Sequence, residues 1–363
     1  MSITRINTTS KFTRIDKTRI ATAKRSYVTR NVSIQSFRYL VEGNIIPKSG
    51  QLLLARVDRI GQHARLEHPS GRRAHLFIGD EIIVSYGHRY APDQFLSEMP
   101  KTLDKCELVA SGGIASRVIT KHSKVKNATK ITPIGLLADR DQNIINLDQW
   151  TLPDVPSQST KPLIIAVTGS SMNGGKTTTA ANIVKGLTNS GLKVASAKIT
   201  GTGSGLDSWK MLDAGAYPVI DFTDIGFAST YKMTTDEVIS IMLRQINHLS
   251  SYAVDAIILE IADGLAQTET SALLESTAFL ENVDAVFFAA AEALSVHSGI
   301  EWLQKRNLPV IAVSGALTAS PVATDEARNI CRLPILTSED LISKNIHSFI
   351  LDNIPEVKLH QYE

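Results

Sequence analysis

One stretch constrains this chain more than any other: Leu163-Ile164-Ile165-Ala166-Val167-Thr168-Gly169-Ser170-Ser171-Met172-Asn173-Gly174-Gly175-Lys176-Thr177-Thr178-Thr179. Its first five residues are apolar and read as a buried strand. A loop rich in Gly and Ser follows, then Lys-Thr-Thr, then a helical pattern. A phosphate-holding loop needs that order. Small residues let backbone N–H groups turn inward towards phosphate oxygens, and the helix adds the positive end of its dipole. The nucleotide-binding candidates are Ser170, Met172, Asn173, Gly174, Gly175, Lys176, Thr177 and Thr178. Lys176 is placed to reach the β/γ-phosphates, and the Thr177 hydroxyl to sit on Mg²⁺. The usual motif has four residues between its glycines, whereas five separate Gly169 from Gly175 here, and Ser170 takes the first-glycine position. An ordinary Gly/Ser turn before a helix is the plain alternative, but it leaves the agreement of strand, Gly-Lys-Thr and helix without a cause.

The pattern beyond Pro162 alternates strands with helices. The helix from Thr177 carries Ala180, Ile183, Val184 and Leu187 on one face. Val194–Ile199, Tyr217–Asp221, Asp255–Glu260, Ala285–Ala290 and Pro309–Val313 read as further strands, and Thr234–Leu249 as an amphipathic helix. Near-continuous apolar strands joined by helical crossovers predict a mostly parallel sheet covered on both faces. Ligands bind at the carboxyl ends of such strands. Lys198, Asp221, Asp224, Glu260 and Asp263 fall at or near those ends. The apolar run into Glu260 is Walker B-like, and Mg²⁺ takes oxygen ligands, so Thr177 and Glu260 are the metal candidates. Asp207 reads as the N-cap of a short helix, and the glycine content of Gly201–Gly205 predicts a loop that closes over the site.

The preceding residues differ in kind. Tyr39 to about Tyr90 holds short strand-like runs broken by turn signals, as in a small antiparallel barrel or sandwich. His63, His68 and His75 lack further ligands at metal-binding spacing and read as surface or packing residues. Ala110–Ser116 reads as a turn, Lys121, Lys124, Lys126 and Lys130 as a solvated basic face, and 136–147 as a hairpin. Thr151 to Pro162, with its prolines, reads as a linker. Residues 1–30 hold eight Lys/Arg against Asp16, a charge of +7 in a chain whose net charge is +2. This is a basic arm, with nucleic acid, acidic lipid or a partner as its conceivable contacts and a transit peptide as the other alternative. The expected division is therefore a basic flexible arm over 1–37, a β-rich domain over 38–150, a linker over 151–161 and a P-loop NTPase domain over 162–363.

Composition removes other classes. No apolar run is long enough for a transmembrane helix and no signal-peptide core is visible, so no membrane role is expected. Two cysteines, Cys106 and Cys331, exclude a disulfide scaffold and fit a reducing, cytoplasmic setting.

The loop Gly169–Thr177 resembles that of dethiobiotin synthetase and related MinD-like (SIMIBI) P-loop proteins. In dethiobiotin synthetase a lysine on the second strand and a glutamate ending a later strand serve substrate and metal; Lys198 and Glu260 stand in similar places. Gly205-Leu206-Asp207-Ser208-Trp209, followed by Ala214-Gly215-Ala216, resembles the molybdopterin-guanine dinucleotide biosynthesis protein B family. Both likenesses cover residues 162–320. They imply a Mg-ATP-dependent enzyme of kinase or ligase type acting on a small metabolite. Lys176, Lys198 and Glu260 would be catalytic, and Asp207, Ser208 and Asp263 would face the substrate. Members of the superfamily often work as dimers, which implies a homodimer here. Ser171 replaces the extra lysine of partitioning ATPases, Cys/His metal ligands are absent near the loop, and 313–317 supply no guanine-reading Asn-Lys-x-Asp, so ATP is expected over GTP. The other reading is an accessory or switch NTPase whose N-terminal domain docks a partner enzyme or nucleic acid.

Overall fold

The computed structural model describes residues 11–156 and 161–355. The chain divides into two compact units. The first comprises residues 1–152 with 202–206 and 222–231; the second comprises 153–201, 207–221 and 232–363.

The first unit is a β-structure closed into a barrel. Strand Thr129–Ala138 pairs with Leu52–Arg59, which pairs with Glu81–Tyr86, then Ile114–Lys121, then Cys106–Ala110, which returns to Thr129–Ala138. The contact of Glu81–Tyr86 with Ile114–Lys121 is parallel and the other four are antiparallel. Closure removes the open strand edges that a sheet of this size would otherwise present. Leu53, Val57, Ile82, Val84, Leu108, Ile131 and Leu136 fill the interior. Lys121, Lys124, Lys126 and Lys130 are exposed, as a solvated face requires. His63 is packed beside Arg89, 2.9 Å from its guanidinium, and burial pushes its pKa down to about 3.

The arm expected over 1–37 is not what residues 11–37 form. Lys11–Arg14 pairs with Tyr39–Glu42, and Tyr27, Val28, Val32 and Phe37 are buried. Arg19 makes a two-point ion pair with Glu81, at 2.8 and 2.6 Å, and Lys24 pairs with Asp80. Arg19, Lys24 and Arg30 therefore have acidic partners distant in sequence, which composition alone does not reveal. Residues 1–10 of the expected arm, and 157–160 of the expected linker, lie outside the described residues.

The second unit is built on a parallel sheet of six strands. In chain order its elements are β1 (Leu163–Gly169), α1 (Lys176–Asn189), β2 (Val194–Lys198), α2 (Leu206–Ala214), β3 (Val219–Asp221), α3 (Thr235–Ser250), β4 (Ala256–Glu260), β5 (Ala285–Ala289) and β6 (Val310–Ser314). Their order across the sheet is β3-β2-β4-β1-β5-β6. Every residue of β1, β4 and β5 is buried, which is why these strands read as unbroken apolar runs. Ala180, Ile183, Val184 and Leu187 of α1 are fully buried against the sheet. Thr234 caps α3 through a reciprocal bond with Glu237, so a capping box starts this helix. Among the described residues no helix is long and apolar enough to cross a membrane.

Asp224 lies in the first unit. Its carboxylate accepts Arg30 at 2.6 Å and Asn31 at 2.8 Å, so it holds a partly buried ion pair rather than a place at the sheet's ligand edge. Asp224→Ala removes this acceptor from Arg30 and Asn31. The expected cost is about 2 kcal/mol, measured by urea unfolding.

Candidate functional site

The carboxyl edge of the second unit's sheet gathers the charged residues. β1 ends at Gly169, and the loop 170–175 turns the chain into α1. Gly175 has φ of 94°, a left-handed conformation that glycine adopts without steric cost. The loop is also crowded from behind. A Cβ on Gly174 would stand 2.8 Å from the Ala289 carbonyl oxygen, and one on Gly175 2.6 Å from the Ala316 nitrogen. The Ala316 N–H donates to the Gly174 carbonyl at 3.0 Å. The ends of β5 and β6 thus brace the loop, a role for Gly315-Ala316 that the sequence reading considered only for guanine recognition. Gly264, after β4, approaches the Ser170 backbone so closely that a side chain would collide.

Lys176 opens α1 and is 4% exposed. Its ammonium donates to the Ser171 carbonyl at 2.6 Å, inside its own loop. Burial lowers its pKa, against the opposing charges of Glu260 and Asp263. The Thr177 hydroxyl stands 2.7 Å from Glu260 Oε1 and 3.2 Å from Asp207 Oδ1. Asp207 also pairs with Lys198. Register explains the convergence: Lys198 of β2 is directly opposite Glu260 of β4, which is opposite Val167 of β1. Burial works against the charge on Lys198, but Asp207 and Glu260 outweigh it and raise the pKa. Burial would likewise raise Asp207, and the Lys198 charge holds it below the ordinary carboxylate value.

Glu260 is the exception. It is 3% exposed, and its Oε2 has no hydrogen-bond partner. Burial first, and Asp207's charge second, push its pKa up to about 7. An orphaned buried oxygen beside a hydroxyl and two carboxylate oxygens is a donor set that suits Mg²⁺, which favours oxygen and retains several waters. Among the described residues no group of three His, Cys, Asp or Glu is close enough to hold a metal by itself.

The other predicted residues fall as follows. Ser170 and Gly175 are half-buried and Gly174 buried, while Met172, Asn173 and Thr178 are exposed on the loop and first helical turn. Thr178 accepts Lys210 at 2.7 Å. Asp263, with φ of 59°, lies close enough to Lys176 to act on its charge, which places it by the loop. Ser208 follows Asp207 in the first turn of α2, its hydroxyl buried and unbonded. Asp207 is not the N-cap expected of it, because α2 begins one residue earlier, at Leu206. Its carboxylate is thereby directed to Lys198 and Thr177. The loop expected to close over the site is pinned instead at residues 202–205, within the first unit.

A parallel sheet, a glycine-braced loop running into Lys-Thr, and an acidic strand end on the neighbouring strand define the P-loop NTPase fold. No family model matches the chain, and neither does any curated protein. Among solved structures three similar ones follow. The signal recognition particle receptor FtsY of Elizabethkingia anophelis shares 16% identity over 53% of this chain and 67% of its own, with a TM-score of 0.33. The 54 kDa signal recognition particle protein of Aeropyrum pernix K1, solved with GDP, shares 16% over 54% of this chain and 50% of its own, at 0.37. The septum site-determining protein MinD of Pyrococcus horikoshii OT3, solved with Mg-ADP, shares 18% over 56% and 90%, at 0.34. This chain therefore spans half the length of one of these relatives.

The Glu260 carboxyl yields a pH test. Its pKa in the folded, metal-free protein lies above the ordinary value of 4.5. The fold thus binds a proton that the unfolded chain releases, and this contribution is lost as pH rises from 4.5 towards 7. Between about pH 5 and about pH 8, metal-free wild type is expected to lose melting temperature relative to Glu260→Gln. Parallel melting curves across that range would sink the assignment.

Proposed function

We propose that the chain binds a magnesium nucleoside triphosphate, ATP, on the loop 169–177 and uses it to phosphorylate or activate a small metabolite. One observation carries this reading: the Thr177 hydroxyl meets a buried glutamate whose second oxygen is unpartnered, with Lys176 beside it. Bound Mg²⁺ would supply charge neutralisation for phosphate oxygens, held by Thr177 and Glu260 with Asp207 nearby. Lys176 would exchange its Ser171 carbonyl for phosphate oxygen, and backbone N–H groups entering α1 would line the same position. Lys198 stays an ammonium, because Asp207 and Glu260 hold its proton. It therefore acts as a fixed positive charge rather than a base, and its charge suits an acceptor with an anionic group. Catalysis of this kind is positioning and charge stabilisation. Ser208 and Asp263 remain on the acceptor side of the proposal, and a homodimer, readable by light scattering, belongs to it.

A second reading has its own support. The segments after β2 and β3 leave the sheet and fold with the barrel unit. Such an excursion is what a nucleotide-dependent switch would use to report its state to a docking domain. The two readings separate by turnover: a metabolite accelerates it in the first, a macromolecule in the second. Both require Lys176. Lys176→Ala is expected to weaken Mg-ATP binding by about tenfold or more, the worth of one charge-assisted hydrogen bond, in a calorimetric titration. Unchanged affinity would remove the basis of both.

A further inference from the structure

Asp207 owes its place to what precedes it. Residues 202–206 belong to the barrel unit and are held there at several points. Thr202 bridges to Ser229, and the Gly203 N–H donates to the Ala228 carbonyl at 2.9 Å. The Gly203 carbonyl approaches Gly112 so closely that only a glycine fits at 112. The last hold is a side chain. The Ser204 hydroxyl at 2.9 Å and the Gly205 N–H at 3.1 Å both donate to the carboxylate of Glu67. Glu67 has 0% exposure. A carboxylate that deep keeps its hydrogen bonds because water cannot replace them. Leu206 alone then separates Gly205 from Asp207, whose carboxylate meets Thr177 and Lys198.

We propose that Glu67 is a positioning residue for Asp207. By fixing residues 204 and 205 it sets where α2 begins, and hence where the Asp207 carboxylate stands relative to the Thr177 hydroxyl and the Lys198 ammonium. This inference rests on the Mg-nucleotide reading above. Outer partners of metal ligands act in this way, by holding a ligand's neighbours in register rather than by touching the metal.

The test uses the full chain and a fluorescent ATP analogue, with affinity measured in EDTA and in excess Mg²⁺. The proteins are wild type, Glu67→Gln, Ser204→Ala, Asp207→Asn and the Glu67→Gln/Asp207→Asn double variant. Glu67→Gln and Ser204→Ala should keep the EDTA affinity within about twofold, since the loop 169–177 is untouched, and lose about threefold or more of the Mg²⁺-dependent gain. Asp207→Asn should lose about tenfold of that gain. The double variant should be no weaker than Asp207→Asn alone, because Glu67 acts through Asp207. A merely structural Glu67 would lower melting temperature and give additive losses. Ser204→Ala deletes one hydrogen bond and leaves the carboxylate, so it decides the matter if Glu67→Gln does not fold. An unchanged Mg²⁺ gain in Ser204→Ala, or additivity in the double variant, overturns the proposal. Wild type that binds no nucleotide overturns the Mg-nucleotide reading and this one with it; wild type that binds while Ser204→Ala is unaltered overturns this one alone.

Discussion

Burying a charge is costly unless an opposite charge or hydrogen bonds compensate it, and this constraint governs the edge of the NTPase sheet. Four charged groups meet there, two ammoniums from Lys176 and Lys198 and two carboxylates from Asp207 and Glu260. None could be so enclosed without the others. Strand register brings Lys198 opposite Glu260, and the start of α2 supplies Asp207. The set is balanced in number but not in contacts. Asp207 takes Lys198 for itself, which leaves Glu260 with a hydroxyl on one oxygen and nothing on the other. Burial first, and the Asp207 charge second, raise the Glu260 pKa for that reason.

The two units differ in charge as well as in architecture. The first unit, residues 1–152 with 202–206 and 222–231, holds 24 Lys/Arg against 14 Asp/Glu, a balance of +10, and the second holds 14 against 22, a balance of −8. A chain close to neutral overall is thus two oppositely charged parts. On the barrel, part of the excess is bound in ion pairs such as Arg19–Glu81 and Lys24–Asp80. Lys121, Lys124, Lys126 and Lys130 remain exposed.

What could be read from sequence was what is locally encoded. The loop, α1 and the strands of the parallel sheet declare themselves within a few residues, because burial on both faces writes an unbroken apolar run. Lys198 and Glu260 followed from their places at strand ends. Asp207 reads from sequence as a helix cap facing a substrate, whereas its contacts with Lys198 and Thr177 depend on the path of residues 199–206 and on a helix start two residues earlier than a cap at 207 implies. Residues 11–37 depart from the expected arm because composition reports charge but not distant carboxylates such as Glu81 and Asp80. Barrel closure was only half legible. The strand that closes it, Cys106–Ala110, follows Lys101-Thr102-Leu103-Asp104-Lys105, where no alternation announces a strand. Asp224 looked like a ligand-edge acid because it follows β3 closely, yet the chain has by then left the sheet.

The interleaving of the two units also bears on how the polypeptide is made. The barrel owns residues 202–206 and 222–231, so it is unfinished when residue 152 leaves the ribosome. It must wait for the first strands of the following sheet to be synthesised before its last segments can dock. Domains that are continuous in sequence can fold one after another during translation. Here the segments that complete the earlier unit are made only after the first strands of the later one.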